Sequence, residues 1–433
     1  MAVSLWAQDS NGGGSSSDVA PSDQGGFSGR APVRIGMVGA ESVPITFSMN
    51  VSGSYDSLLG AFRTDKNGNL TPGAGSYGVD GGFNVSGQKK FRRSVLGISY
   101  LGNYSHLFNV SGFNWANQSL NLEYSRRVTK RTELTLATAG NITNRIIGNP
   151  LNRQIDSLGF LASPVNELFD TRISFLQSSL SIGYALNNRW QLVFVGNGGV
   201  IRRQARALAD SNLYGGTVGA NYRMNRRSTI GFNYTYSHFN FGRQFGESDI
   251  NGLTVSFTRQ FGRGWQANSS VTGFNVRTIG VRRVALDPVI AALLGIQQGS
   301  EAFDSTTRTP GFGGSIEKRL RRTSFAVVAN RNVQPGNGLL LTSILTTYSA
   351  SVNYQSSGNK WNFGGSVNRT AMSGVGTDPF GSFSSDAFSV NVTRMITREI
   401  GFIGSSEYRQ FKIQQSNLDR SGNRVAIGLT YAP

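Results

Sequence analysis

The chain has no cysteine, only two histidines in 433 residues, 24 acidic residues and 11 prolines. Lack of cysteine excludes a disulfide framework, an iron–sulfur cluster and a zinc ribbon. With His106 and His238 alone, a histidine-rich metal centre is excluded too. Long apolar runs are also missing: the longest candidate, Val289 to Ile296, falls far short of the roughly 18 residues a membrane helix needs. A membrane-spanning chain of this kind has to cross as a barrel. What abounds instead is glycine, at 55 residues, and basic charge, at 42 Lys+Arg for a formal net of +18. That excess points equally to nucleic acid and to an anionic membrane surface, so its placement along the chain has to decide.

Residues 8–31 are a Gly/Ser/Asp tract unable to bury a core, and MAVSLWAQ before it has the look of a signal-peptide remnant. The short stretch 33–38 (VRIGMV) reads as a lead-in. The chain therefore divides into a flexible segment, 1–43, and one structured unit, 44–433. From residue 44 onward, segments of nine to fourteen residues alternate apolar with Ser, Thr, Asn, Gly or Gln, the period of a strand. Ile45, Phe47, Met49 and Val51 alternate with Thr46, Ser48, Asn50 and Ser52. Ile230, Phe232, Tyr234 and Tyr236 alternate with Gly231, Asn233 and Thr235. Roughly 18 such segments occur, each long enough to cross a bilayer at a tilt, and 16 crossings is the alternative count.

Their connections alternate between short ones, such as QKKFRR (88–93) and EKRLRR (317–322), and long ones, such as 56–76, 141–173 and 279–308. Sorted loops of this kind are the signature of an all-β, up-and-down antiparallel meander through a membrane. Tyr124, Tyr184, Trp190, Tyr222, Trp265, Tyr354, Trp361 and Tyr431 fall in the apolar phase beside the short connections, where they form an interfacial aromatic girdle.

On these features residues 44–431 resemble a bacterial outer-membrane β-barrel of the porin-like kind. The last segment, VAIGLTY (425–431), is similar to the terminal strand such barrels present to the barrel assembly machinery, except that Ala432 and Pro433 follow the aromatic close. The resemblance implies a bacterial outer-membrane location, short turns and both termini in the periplasm, an even strand number and outer-membrane lipid as surroundings.

Chemistry is sparse. Phase counting sends His106 and His238 to the lipid side as girdle residues, and a Ser-His neighbour pair in a strand points to opposite faces, so neither Ser105-His106 nor Ser237-His238 can act as a dyad. No enzyme and no cofactor are expected, and glycine motifs lack the strand–loop–helix context of a phosphate site. Glu123, Glu133, Arg223, Glu317, Arg319, Glu407 and Arg409 fall in the lumen phase among small polar residues. Two loops carry helical signals, 287–295 with Asp287 as N-cap and Pro288 in the first turn, and 163–169. The first, in loop 279–308, is a candidate either to fold inward and narrow the lumen or to pack on other outer loops.

The eight short connections hold 21 of the 42 basic residues and two of the 24 acidic ones, so they carry essentially the whole excess. Lys89, Lys90, Arg92, Arg93, Arg126, Arg127, Lys130, Arg131, Arg226, Arg227, Lys318, Arg321 and Arg322 form a basic ring at the short-turn end. The ring either grips anionic headgroups or guides anionic solutes, and nucleic acid drops out as a partner. The expected function is a passive, size-limited channel for small hydrophilic solutes with a mild anion preference. An export conduit for an acidic exopolysaccharide and a sealed barrel with loops as adhesin or receptor surface are the alternatives.

Overall fold

The computed structural model describes residues 43–57, 63–64, 70–71, 75–108, 114–143, 172–204, 209–242, 246–262, 264–285, 298–336, 341–375, 382–413 and 418–433. Eighteen strands close into a single antiparallel barrel. In chain order they are β1 (Val43–Asp56), β2 (Ser76–Lys90), β3 (Ser94–Leu107), β4 (Trp115–Arg127), β5 (Thr132–Thr143), β6 (Ile173–Ala185), β7 (Trp190–Arg203), β8 (Ser211–Asn225) and β9 (Ser228–Phe241). The second half comprises β10 (Gly246–Phe261), β11 (Trp265–Ala285), β12 (Gln298–Arg319), β13 (Thr323–Pro335), β14 (Thr342–Gln355), β15 (Trp361–Gly374), β16 (Ser382–Met395), β17 (Ile400–Ile413) and β18 (Leu418–Tyr431). The expected count of 18 holds. Segment 1–42, with its tract and lead-in, lies outside the described residues, as do 163–169 and 287–295.

Each strand pairs with its chain neighbours, and β1 closes on β18 through Met49–Asp56 against Arg424–Tyr431. Register carries one phase around the whole circumference: Met49 faces Phe83, Val85 faces Tyr100, and Leu96 faces Tyr124 on the outside. Ile45, Met49, Val51, Leu253, Val271 and Ile427 are among the large apolar side chains left exposed there. In water such a belt would be prohibitive; in hydrocarbon it is the required surface.

Tight turns at one end are set by local chemistry. The Asn187 side-chain oxygen accepts from the Trp190 amide at 2.9 Å, and Thr129 and Thr397 hydroxyls accept from Thr132 at 3.0 Å and Ile400 at 2.9 Å. These side chains imitate a backbone turn, which lets the strand reverse in a few residues. Gly264 has φ +77°, and a Cβ there would collide with the Arg319 carbonyl, so this turn requires glycine.

The opposite end departs from the sequence reading. Residues 279–285 and 298–308, expected in a loop, continue β11 and β12 as a long hairpin, with Ile279 opposite Asp304 and Ala285 opposite Gln298. By contrast, β12 pairs with β13 only through Phe312–Arg319. Pro310, which has no amide hydrogen to offer a neighbour, stands just above that point. Beyond it β13 and the start of β14 leave the wall and slip behind it. Thr342, in the outward phase of β14, bonds the inward hydroxyl of Ser248 on β10 at 2.6 Å and lies 3.3 Å from that of Thr278 on β11. The barrel is thus two layers thick at this place.

Candidate functional site: the lumen wall and its outer overlap

Between the short turns and the overlap, the inward side of β5–β16 is built from hydroxyls, amides and glycines. Facing hydroxyls join neighbouring strands: Thr217 with Thr235 at 3.1 Å, Thr254 with Thr272 at 2.8 Å, and Ser366 with Ser389 at 2.7 Å. Each hydroxyl has one proton and two lone pairs, so a pair bonded to itself keeps capacity to spare.

Asparagines face glycines across the strands. Asn50 stands opposite Gly82, Asn233 opposite Gly219, Asn221 opposite Gly231 and Asn391 opposite Gly364. A Cβ on Gly231 would come within 2.7 Å of the Asn221 side-chain oxygen, and one on Gly219 would strike that of Asn233. The glycine lets the amide lie along the wall instead of standing into the lumen. Asn221 and Asn233 are accordingly buried although they point inward. Gly231→Leu, which lifts the amide off the wall, is expected to lower single-channel conductance by roughly a quarter, given the size of an 18-strand lumen, with the gel shift on heating unchanged.

Lumenal charge sits at two levels. At the short-turn end Glu133 accepts from Ser125 at 3.0 Å and Glu317 pairs with Arg319. Register places Glu123 and Arg223 on the same inward phase. At the outer end two pairs cross the closing seam: Arg409 of β17 to Asp56 of β1 at 2.7 Å, and Arg424 of β18 to Asp80 of β2 at 2.9 Å. Each pair skips one strand. Glu407, opposite Arg424, completes the group. Sequence reasoning found Arg409 and Glu407 but had no means to see Asp56 and Asp80, more than 340 positions away.

The basic ring is divided by strand phase. Lys89, Arg126 and Lys318 are outward, while Lys90, Arg127 and Arg319 are inward; Arg92, Arg93, Lys130, Arg131, Arg226, Arg227, Arg321 and Arg322 lie on or beside the turns. Outward cations lie against girdle rings: Lys318 is 4.6 Å from the centroid of Trp265, and Arg394 is 4.9 Å from that of Trp361. Trp190 and Tyr222 meet at 4.8 Å, Phe47 and Tyr431 at 6.2 Å, and register puts Tyr124, Tyr184 and Tyr354 on the same outer surface.

The outer mouth is not the small-polar surface expected. Ile173, Phe175, Ile201, Leu213, Phe239, Ile250, Phe274 and Val276 are buried in one apolar band, all in the inward phase of β6–β11. Val333 and the partly buried Leu341 and Ile344 of the slipped hairpin pack on the same band. Val333 and Ile344 have outward phase, so in a continuous wall they would face lipid; here they face the inward side of β10–β12. The apolar band is the seat of the second layer. Narrowing of the lumen was expected from loop 279–308, whose segment 287–295 lies outside the described residues; the β13–β14 end adds a second layer on the inner side of the wall.

His238 keeps the outward phase assigned to it and stacks on Tyr214 at 4.7 Å, but it also meets Asp249 at 2.9 Å, and the Tyr236 hydroxyl donates to the same carboxylate at 2.8 Å. His106 packs edge-on against Phe108 at 5.3 Å. The His238 imidazole is engaged on the outer surface, away from Ser237 on the inner one.

A closed antiparallel barrel with a circumferential apolar outer face, girdle aromatics at its short-turn end and a polar interior has the architecture of a transmembrane β-barrel. No protein-family model matches the chain, and neither does any curated protein. Among solved structures, Pseudomonas aeruginosa OccK2 (OpdF) is similar at 10% identity over 90% of this chain and 98% of that one, with a TM-score of 0.44. P. aeruginosa OpdL gives 10% identity, 90% and 99% coverage and a TM-score of 0.41. The ferric-catecholate import receptor Fiu of Escherichia coli K12 gives 8%, 89%, 81% and 0.43.

Proposed function

We propose that the chain is a passive channel of the outer membrane for small hydrophilic solutes, size-limited at its outer mouth. The observation that carries the reading is the wall of β5–β16, where hydroxyls and flattened amides line a barrel whose 18 strands give room for an aqueous path. Purified protein in a planar bilayer is expected to give stepwise conductance in KCl; a silent bilayer sinks the channel and leaves the sealed adhesin or receptor barrel.

The ring adds a mild preference for anions entering from the short-turn side. Its outward cations, laid on Trp265 and Trp361, suit headgroup contact, whereas Lys90 and Arg127, with inward phase, suit the mouth. Neutralising Arg92, Arg93, Arg126, Arg127, Arg321 and Arg322 together is expected to move the KCl reversal potential toward that of a non-selective pore. An unchanged reversal potential assigns the ring to lipid alone. A conduit for an acidic polymer would want cations along the whole path, and among the described residues the wall between rim and overlap on β5–β16 offers none. A hydrolase is disfavoured by the outward engagement of His238 with Asp249.

A further inference from the structure

We infer that the solute passed is uncharged and hydroxyl-rich, of the size and chemistry of a sugar or polyol; this rests on the channel reading and names its solute class. Twelve consecutive strands, β5–β16, present no charged side chain on the inward phase between the short-turn rim and the overlap, among the described residues. On the remaining arc near the outer mouth charges of both signs lie close together, Arg409 with Asp56 and Arg424 with Asp80, with Glu407 opposite Arg424. A carboxylate or an ammonium leaving bulk water therefore meets no counter-charge along this wall, and a partly desolvated ion without one is strongly disfavoured.

A hydroxyl-rich solute meets the reverse situation. Thr217–Thr235 and Thr254–Thr272 are self-bonded pairs that still accept and donate. The Asn221 oxygen and the Asn233 nitrogen are buried polar atoms with no protein partner. A buried polar atom left without a partner is destabilising, and a small rotation off the facing glycine brings each amide to a lumenal hydroxyl. Neutral donors and acceptors on wall and solute exchange for water at near parity, and passage needs no tight site. The field of the basic ring acts on small ions at the mouth; the wall acts on whatever touches it.

The test compares galactose, galacturonate and galactosamine, matched in ring size, in swelling of proteoliposomes containing the full chain, with KCl conductance measured on the same preparation. Galactose is expected to enter about threefold or more faster than either charged sugar, as the cost of stripping water from an ion requires. In Thr235→Lys, galacturonate is expected to gain on galactose, which ties the selectivity to the wall. Galacturonate or galactosamine matching galactose in the unmodified protein overturns the inference, as does exclusion of all three sugars while KCl still conducts. Loss of KCl conductance itself overturns the channel reading instead.

Discussion

Val333→Asp together with Ile344→Asp is expected to raise single-channel conductance about twofold, because it detaches the β13–β14 end from the wall behind which it sits in a barrel wide enough to hold an open lumen. The two side chains form the outward surface of the second layer and rest on the inward apolar band that includes Phe274, Val276 and Ile250. Burying them is worth about 1.5–3 kcal/mol each, and a carboxylate in their place costs several kcal/mol more unless it is withdrawn into water. The hydroxyls of Ser248, Thr278 and Thr342 form a polar link between the layers. The chain has no cysteine, so a disulfide can be added without competitors. Ser248→Cys with Thr342→Cys in the same Asp background is expected to restore the original conductance when oxidised and to lose it again on reduction. If the Asp variant conducts as before, the overlap does not limit flow; if oxidation fails to reverse the gain, general damage to the barrel explains it.

The second large effect concerns the closing seam. Arg409 and Asp56 are 2% and 4% exposed at their side chains and 2.7 Å apart. Asp56→Asn leaves the guanidinium without that carboxylate, and removing one partner of a buried pair costs about 3–5 kcal/mol. The temperature at which the folded gel band converts to the unfolded one is expected to fall clearly. Arg409→Gln should do the same, whereas the double variant recovers most of the loss, because a buried pair removed as a whole is often close to neutral. Additive losses would mean that the two groups are not coupled across the seam.

Membrane surroundings explain how much of this was legible in the sequence. Lipid demands an apolar outer phase, so alternation such as Ile45, Phe47, Met49, Val51 exposes strands, phase and number together. The same rule fails where the wall leaves the bilayer. Arg277 and Asp304 face outward on the long β11–β12 hairpin and bond each other at 2.6 Å, so the apolar alternation disappears and 279–308 reads as a loop. The overlap is invisible for another reason. Phe239, Ile250 and Phe274 violate the polar inward phase, which signals that something covers them, yet Val333 and Ile344 obey their own strand's pattern and give no hint that they are the cover. The seam pairs are hidden by distance along the chain, since nothing local to Asp56 or Asp80 indicates an arginine one strand beyond its neighbour.

Two lines of the wall are zipped over a short length, and they differ in reinforcement. Between β18 and β1 the ladder spans Met49–Asp56, and the ion pairs of Arg409 and Arg424 stitch across it by reaching past the adjacent strand. Between β12 and β13 the ladder spans Phe312–Arg319, and above Arg331 the join is made by the second layer, where Val333, Thr342 and Ile344 rest on β10 and β11. The two joins are therefore held by different forces: charge stitches the first strand of the barrel to the last, and apolar packing with a few hydroxyls holds the layer that stands over the other.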